Sequence, residues 1–215
     1  MSLLVQALVG LFIAVTAAAA QSQQLTLVVS SEVSQSTPAY DEMRRETARL
    51  VSPAAYTLFW IPKTSAAQGD SFEHLVVIQF RGTCAAGAGV PVLPAGSLAT
   101  SSVSDGQVLP FVQVDCDRTR ALVTPTISKL PSAARETFFG RALGRVLAHE
   151  LYHVLAQTTA HSDKGVSKAC FRTADLISAR FQFDPASLAQ MSPARPVQAT
   201  QTLEITPAAD DAAAR

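Results

Sequence analysis

Between residues 132 and about 157, Phe138, Phe139, Ala142, Leu143, Val146, Leu147, Val154 and Leu155 recur at three- and four-residue intervals. That is the period of a helix with one face turned to a core, and its length commits the chain to a fold organised around one long helix. Pro131 and Ser132 give a start signal, with Ser132 as a candidate N-cap. Gly140 and Gly144 each weaken such a helix by roughly 1 kcal/mol relative to alanine, which points to close packing as the reason for them. Inside the helix stands His149-Glu150-Leu151-Tyr152-His153, with both histidines on or beside the apolar stripe.

A helix advances about 100° per residue, so positions four apart share a face. His149 and His153 can therefore offer two imidazole nitrogens to one point. One reading makes them core histidines bonded to neighbours, with Glu150 paired to Arg145. Placing two imidazoles and a carboxylate in one apolar stripe without close partners is costly, and a metal ion removes that cost. The pattern is that of a zinc site, Zn2+ being the expected cofactor, with Glu150 beside it. There its carboxylate can take a proton from a water activated by the metal and return it to a leaving group.

The third ligand decides the class. If the helix ends near Thr158, the three residues 159–161 can return the chain to the open tetrahedral corner, since extended chain spans about 3.3 Å per residue. His161 is thus the first candidate metal ligand after His149 and His153. Asp175, on a following helix, is the alternative, as in enzymes where a later acidic residue completes the site. Asp163 is a candidate to accept a hydrogen bond from a ligand imidazole and fix its tautomer. Tyr152, Arg141 and Arg145 read as packing or paired residues rather than catalytic ones.

The text from Gly144 to His153, followed by His161-Ser162-Asp163-Lys164-Gly165-Val166, resembles the zincin superfamily, and more closely small secreted bacterial zincin-like proteins. Metzincins place the last histidine six after the second and a helix-ending glycine between them; here the interval is eight, and Ala156 occupies the glycine's place. The resemblance implies an α+β fold, a zincin-like domain with a small mixed sheet packed against a long HExxH active-site helix. It also implies hydrolysis of peptide bonds by a zinc metallopeptidase, with a peptide or protein as substrate. In such enzymes an edge strand beside the helix holds extended substrate, and residues 111–114 are the candidate strand. The alternative is a non-catalytic secreted binding or surface protein that keeps the scaffold and the metal, although a purely structural zinc site has no need of Glu150.

Residues 3–20 are apolar or small apart from Gln6, Gly10 and Thr16, and end in four alanines before Gln21. This reads as a signal peptide over residues 1–20 with cleavage near Ala20, hence a secreted or periplasmic protein with no stable membrane insertion after signal removal. Residues 21–192 then form the metallopeptidase domain, and residues 193–215, rich in Ala, Pro, Thr and Asp, a disordered tail. The chain has 17 basic and 17 acidic residues, and no basic patch with interleaved aromatics, which argues against nucleic acid as a partner. Of three cysteines, Cys84 and Cys116 each follow a strand-like run. A disulfide between them contributes roughly 3 to 4 kcal/mol in the loop-closure picture, and leaves Cys170 as a buried free thiol; the other pairings stay open.

Strands are expected at residues 25–29, 55–61, 75–80 and 111–114, the third central because it is almost continuously apolar. Helices are expected at 40–51 and 173–180. Residues 82–106, with five glycines and two prolines, read as loop.

Overall fold

The computed structural model describes residues 22–30, 37–66 and 71–193. The expected leader, and all but the first residue of the expected tail, lie outside them. Among the described residues no helix is long and apolar enough to cross a membrane.

The fold is α+β. Five strands, β1 (Gln23–Val29), β2 (Tyr56–Pro62), β3 (Leu75–Arg81), β4 (Ala99–Ser104) and β5 (Gln107–Asp115), form one mixed sheet in the order β2-β1-β3-β5-β4. All neighbouring pairs are parallel except β4 with β5. The apolar run of β3 does lie at the centre, flanked on both sides. Helix α1 (Pro38–Val51) crosses between β1 and β2; Thr37 caps it by accepting from the Tyr40 amide at 3.2 Å.

The long helix α3 (Ser132–Ala156) packs along α1. Glycine permits that approach: a Cβ at Gly144 would fall 2.8 Å from the Met43 carbonyl oxygen, and one at Gly140 would collide with that of Ala39. Two charged pairs cross the seam, Arg141 with Glu42 at 3.8 Å and, buried more deeply, Arg145 with Glu46. Arg145 is fully buried, its Nε donates to Glu46 at 2.7 Å, and its other nitrogens donate to the carbonyls of Asp175 and Ser178.

Several expectations need correction. Residues 82–106 contain β4, and Asp105 and Gly106, both at positive φ (51° and 76°), form the tight turn that pairs it with β5. The outermost strand beside α3 is therefore β4, and residues 111–114 lie one strand inside. A helix not expected above, α2 (Cys116–Ile127), begins at the charged residues Asp117, Arg118 and Arg120, with Asp115 capping it by accepting from the Arg118 amide. Helix α4 (Thr173–Ile177) is shorter than expected, and α5 (Pro185–Met191) follows it. Pro131, not Ser132, occupies the N-cap of α3.

Cys84 and Cys116 form the disulfide, with Cα atoms 5.0 Å apart, a pairing that fits an oxidising compartment outside the cytoplasm. Cys170 is free, but it is exposed rather than buried.

Candidate metal centre

Helix α3 carries His149 and His153 into one corner, and the chain after it brings His161 to the same place. One ring nitrogen from each of the three lies within 4.8 Å of those of the other two. His149 and His153 are each 8% exposed and held by α3, whereas His161 is exposed on a loop. The turn that returns the chain differs from the metzincin one. Ala156 stays helical and Gln157, at φ 48°, takes the left-handed conformation that ends the helix. Its side chain donates to the carbonyls of Val154 at 2.7 Å and Val108 at 3.1 Å, which fastens the helix end to β5.

Hydrogen bonds set the state of the two helical imidazoles. His149 Nδ1 lies 2.7 Å from the Val166 carbonyl oxygen, and His153 Nδ1 lies 2.7 Å from that of Thr158. A carbonyl can only accept, so each Nδ1 carries the proton and each Nε2 presents a lone pair. Those two lone pairs face each other at 3.1 Å. With no proton between them the contact repels; with a cation it becomes attractive. Ligands about 2.0–2.1 Å from a tetrahedral ion are about 3.3 Å apart, so the observed separation fits a zinc-sized ion. Burial pushes the His149 pKa down to about 4 against the pull of the Val166 carbonyl, with His153 and His161 adding to the depression. Burial likewise lowers that of His153. Both rings are neutral at pH 7, as ligation requires.

Glu150 is 5% exposed and points toward β4, where Ser101 Oγ donates to its carboxylate at 2.7 Å. Burial pushes its pKa up to about 7, while the Ser101 hydrogen bonds pull the other way. A carboxyl at that value both accepts and releases a proton near neutrality. Ser101 went unanticipated in the sequence; the Asp105-Gly106 turn signal, followed back along the hairpin, leads to its strand.

Other candidates go elsewhere. Asp175 Oδ2 accepts from Lys168 Nζ at 2.6 Å and from the Arg172 amide at 2.7 Å, so this side chain caps α4 and does not join the histidines. Asp163 is exposed, and the acceptors that fix the imidazole tautomers are main-chain carbonyls instead. Tyr152 Oη bonds Gln190 and Arg145 bonds Glu46, both in structural roles, as the sequence suggests.

A cavity of about 570 Å³ opens beside His149 and Glu150, walled by Leu98, Leu122, Val146 and Phe171 with Arg118 at its side. Its outer wall belongs to the segment between β3 and β4, which is tied to the start of α2. The ties are the disulfide, a bond from Arg118 to the Pro94 carbonyl, and bonds from Arg120 to the carbonyls of Thr83 and Gly89.

No protein-family model and no curated protein matches the sequence. The likeness therefore rests on geometry: a His-Glu-x-x-His helix, a downstream histidine closing on it, and an α+β sheet behind, the arrangement of metzincin-like zincins.

Proposed function

We propose that residues 21–192 constitute a zinc-dependent peptidase acting outside the cytoplasm, with His149, His153 and His161 as metal ligands and Glu150 as the catalytic base. The observation that carries this reading is the apposition of two Nε2 atoms at 3.1 Å beside a third imidazole, next to the buried Glu150 carboxyl that Ser101 holds at 2.7 Å. A zinc ion held there supplies a Lewis acid that polarises a scissile carbonyl and makes a water nucleophilic.

The protein's own residues do the rest. Glu150 accepts the proton released by the attacking water and delivers it to the departing amine. Ser101 holds the carboxylate toward the edge of the sheet. The outward edge of β4 offers main-chain donors and acceptors to an extended peptide, and the apolar cavity beside Glu150 receives one of its side chains. A peptide thus satisfies both the strand edge and the cavity. The disulfide supports secretion or a periplasmic location.

The test uses the secreted chain as purified. Elemental analysis should give close to one zinc per chain, falling sharply in His149→Ala and His153→Ala. A peptide library should be cleaved, and Glu150→Gln should abolish cleavage with zinc still bound. Equal background rates for wild type and Glu150→Gln, both fully loaded, would replace the enzyme by a non-catalytic binding protein on the same scaffold.

A further inference from the structure

Two of the three imidazoles ride on a rigid helix, and the third depends on a loop with a scaffold of its own. The Ser162 amide donates to the Ser167 carbonyl at 3.0 Å, and Ser162 bridges Lys168, so the chain folds back on itself just after His161. Gly165 makes the turn at φ +70°, and a Cβ there would lie 2.6 Å from the Gln182 carbonyl oxygen, to which the Val166 amide donates at 3.2 Å. This one loop supplies both His161 and the Val166 carbonyl that orients His149.

What anchors the loop is a file of three hydroxyls, those of Ser167 and Ser187 buried and that of Ser162 half-buried. Ser167 is wholly buried, with its Oγ 2.8 Å from Ser162 Oγ and 2.6 Å from Ser187 Oγ. Ser187 Oγ in turn donates to Asp184 Oδ2 at 2.7 Å. Ser187 gives its proton to Asp184, which can only accept, so Ser167 donates to Ser187, and Ser162 shares its one proton between Ser167 and the Lys164 carbonyl oxygen 2.6 Å away. Asp184 also caps α5, accepting from the amides of Ala186 and Ser187 at 3.0 and 3.1 Å. The far end of the file is thereby fixed to a helix outside the metal corner.

We infer that Ser167 is a positioning residue for the metal centre, holding the His161 loop to α5 through Ser187 and Asp184. The inference rests on the zinc reading above and adds that metal affinity is set in part from a helix that contributes no ligand. Groups that hydrogen-bond a ligand directly change metal affinity by about 10- to 100-fold when removed; Ser167, one residue from the Val166 carbonyl that bonds His149, acts at the lower end of that range.

The experiment measures the zinc dissociation constant of the full chain by competition with a chromophoric chelator, and the visible absorption of the cobalt-substituted protein. Both are read at a temperature where every variant is fully folded, so that a change in global stability alone leaves the constant unmoved. Ser167→Ala should bind zinc at least about ten-fold more weakly and alter the cobalt bands. Should Ser167→Ala not fold, Ser187→Ala carries the same expectation. A zinc constant within two-fold of wild type, with an unchanged cobalt spectrum, overturns this inference alone. A wild-type chain that takes up no zinc overturns the metal reading and this inference together.

Discussion

Ser101 Oγ, on the outermost strand, donates to the Glu150 carboxylate at 2.7 Å. The register of β4 against β5 shifts between Ser101 and Val103, and such irregularities re-aim side chains at strand edges. A hydrogen bond to a charged group contributes about 1.5–3 kcal/mol. Ser101→Ala should therefore lower kcat/KM by about ten-fold or more with zinc content unchanged. Steady-state kinetics beside elemental analysis checks this, and a loss of zinc in the variant would place Ser101 in a different role.

Removing the metal should soften the protein. A ligand present at a hundred times its dissociation constant stabilises by about 2.7 kcal/mol, which at this chain size is about 5 to 10 °C in Tm. A chelator should lower Tm by that amount in wild type and in Asp175→Asn, but leave His149→Ala where it is. Differential scanning fluorimetry with and without chelator reads all three. A chelator-insensitive Asp175→Asn would return Asp175 to the ligand set.

Glu46 gives stability a direction with pH. Burial raises its pKa, but hydrogen bonds from Arg49 and Arg145 outweigh burial and hold it below the usual carboxylate range. A carboxyl with a depressed folded value contributes stability that is complete above its unfolded pKa and disappears as pH falls through the folded value. The Glu46 contribution, read as the difference in unfolding free energy between wild type and Glu46→Gln, should thus be level from neutrality to about pH 5 and decline below, on top of the changes that His149 and Glu150 add in both proteins. Glu46→Gln, which leaves Arg145 buried beside a neutral amide, should cost about 3–5 kcal/mol at pH 7 and flatten the acid decline. Urea titrations across the pH range measure both.

At the α1–α3 seam, Gly144→Ala sets two effects against each other. Helix propensity favours alanine by about 1 kcal/mol, yet its Cβ would meet the Met43 carbonyl at 2.8 Å, and main chain yields little. Overpacking of this kind costs about 1–3 kcal/mol, so the variant should show a lower urea midpoint despite the better helix former.

Elements whose residues alternate or run apolar were legible in the sequence. The run at residues 75–80 identified the central strand, and the three- and four-residue period of α3 set its length almost to the residue. Strand β4, reading Ala-Thr-Ser-Ser-Val-Ser, is exposed on one face and only half-buried, by Ala99 and Ser101, on the other, and so leaves no hydrophobic pattern; only its turn marks it. Helix α2 was obscured because its first turn is charged and Pro125 lies inside it. At the site, His161 was reachable from chain geometry. The tautomer-fixing acceptors were not, since a main-chain carbonyl leaves no trace in residue identity and Asp163 was the nearest side chain able to do the same work.

Those acceptors, Val166 and Thr158, hold the imidazoles through atoms that every amino acid possesses. No side-chain replacement at either position deletes the oxygen. The protonation pattern of the two rings is thus inherited from the path of the backbone, not from a residue type. What the centre will not tolerate is a change of path: a rerouted helix end would move the Thr158 carbonyl from His153, and a changed loop length before residue 166 would move the Val166 carbonyl from His149.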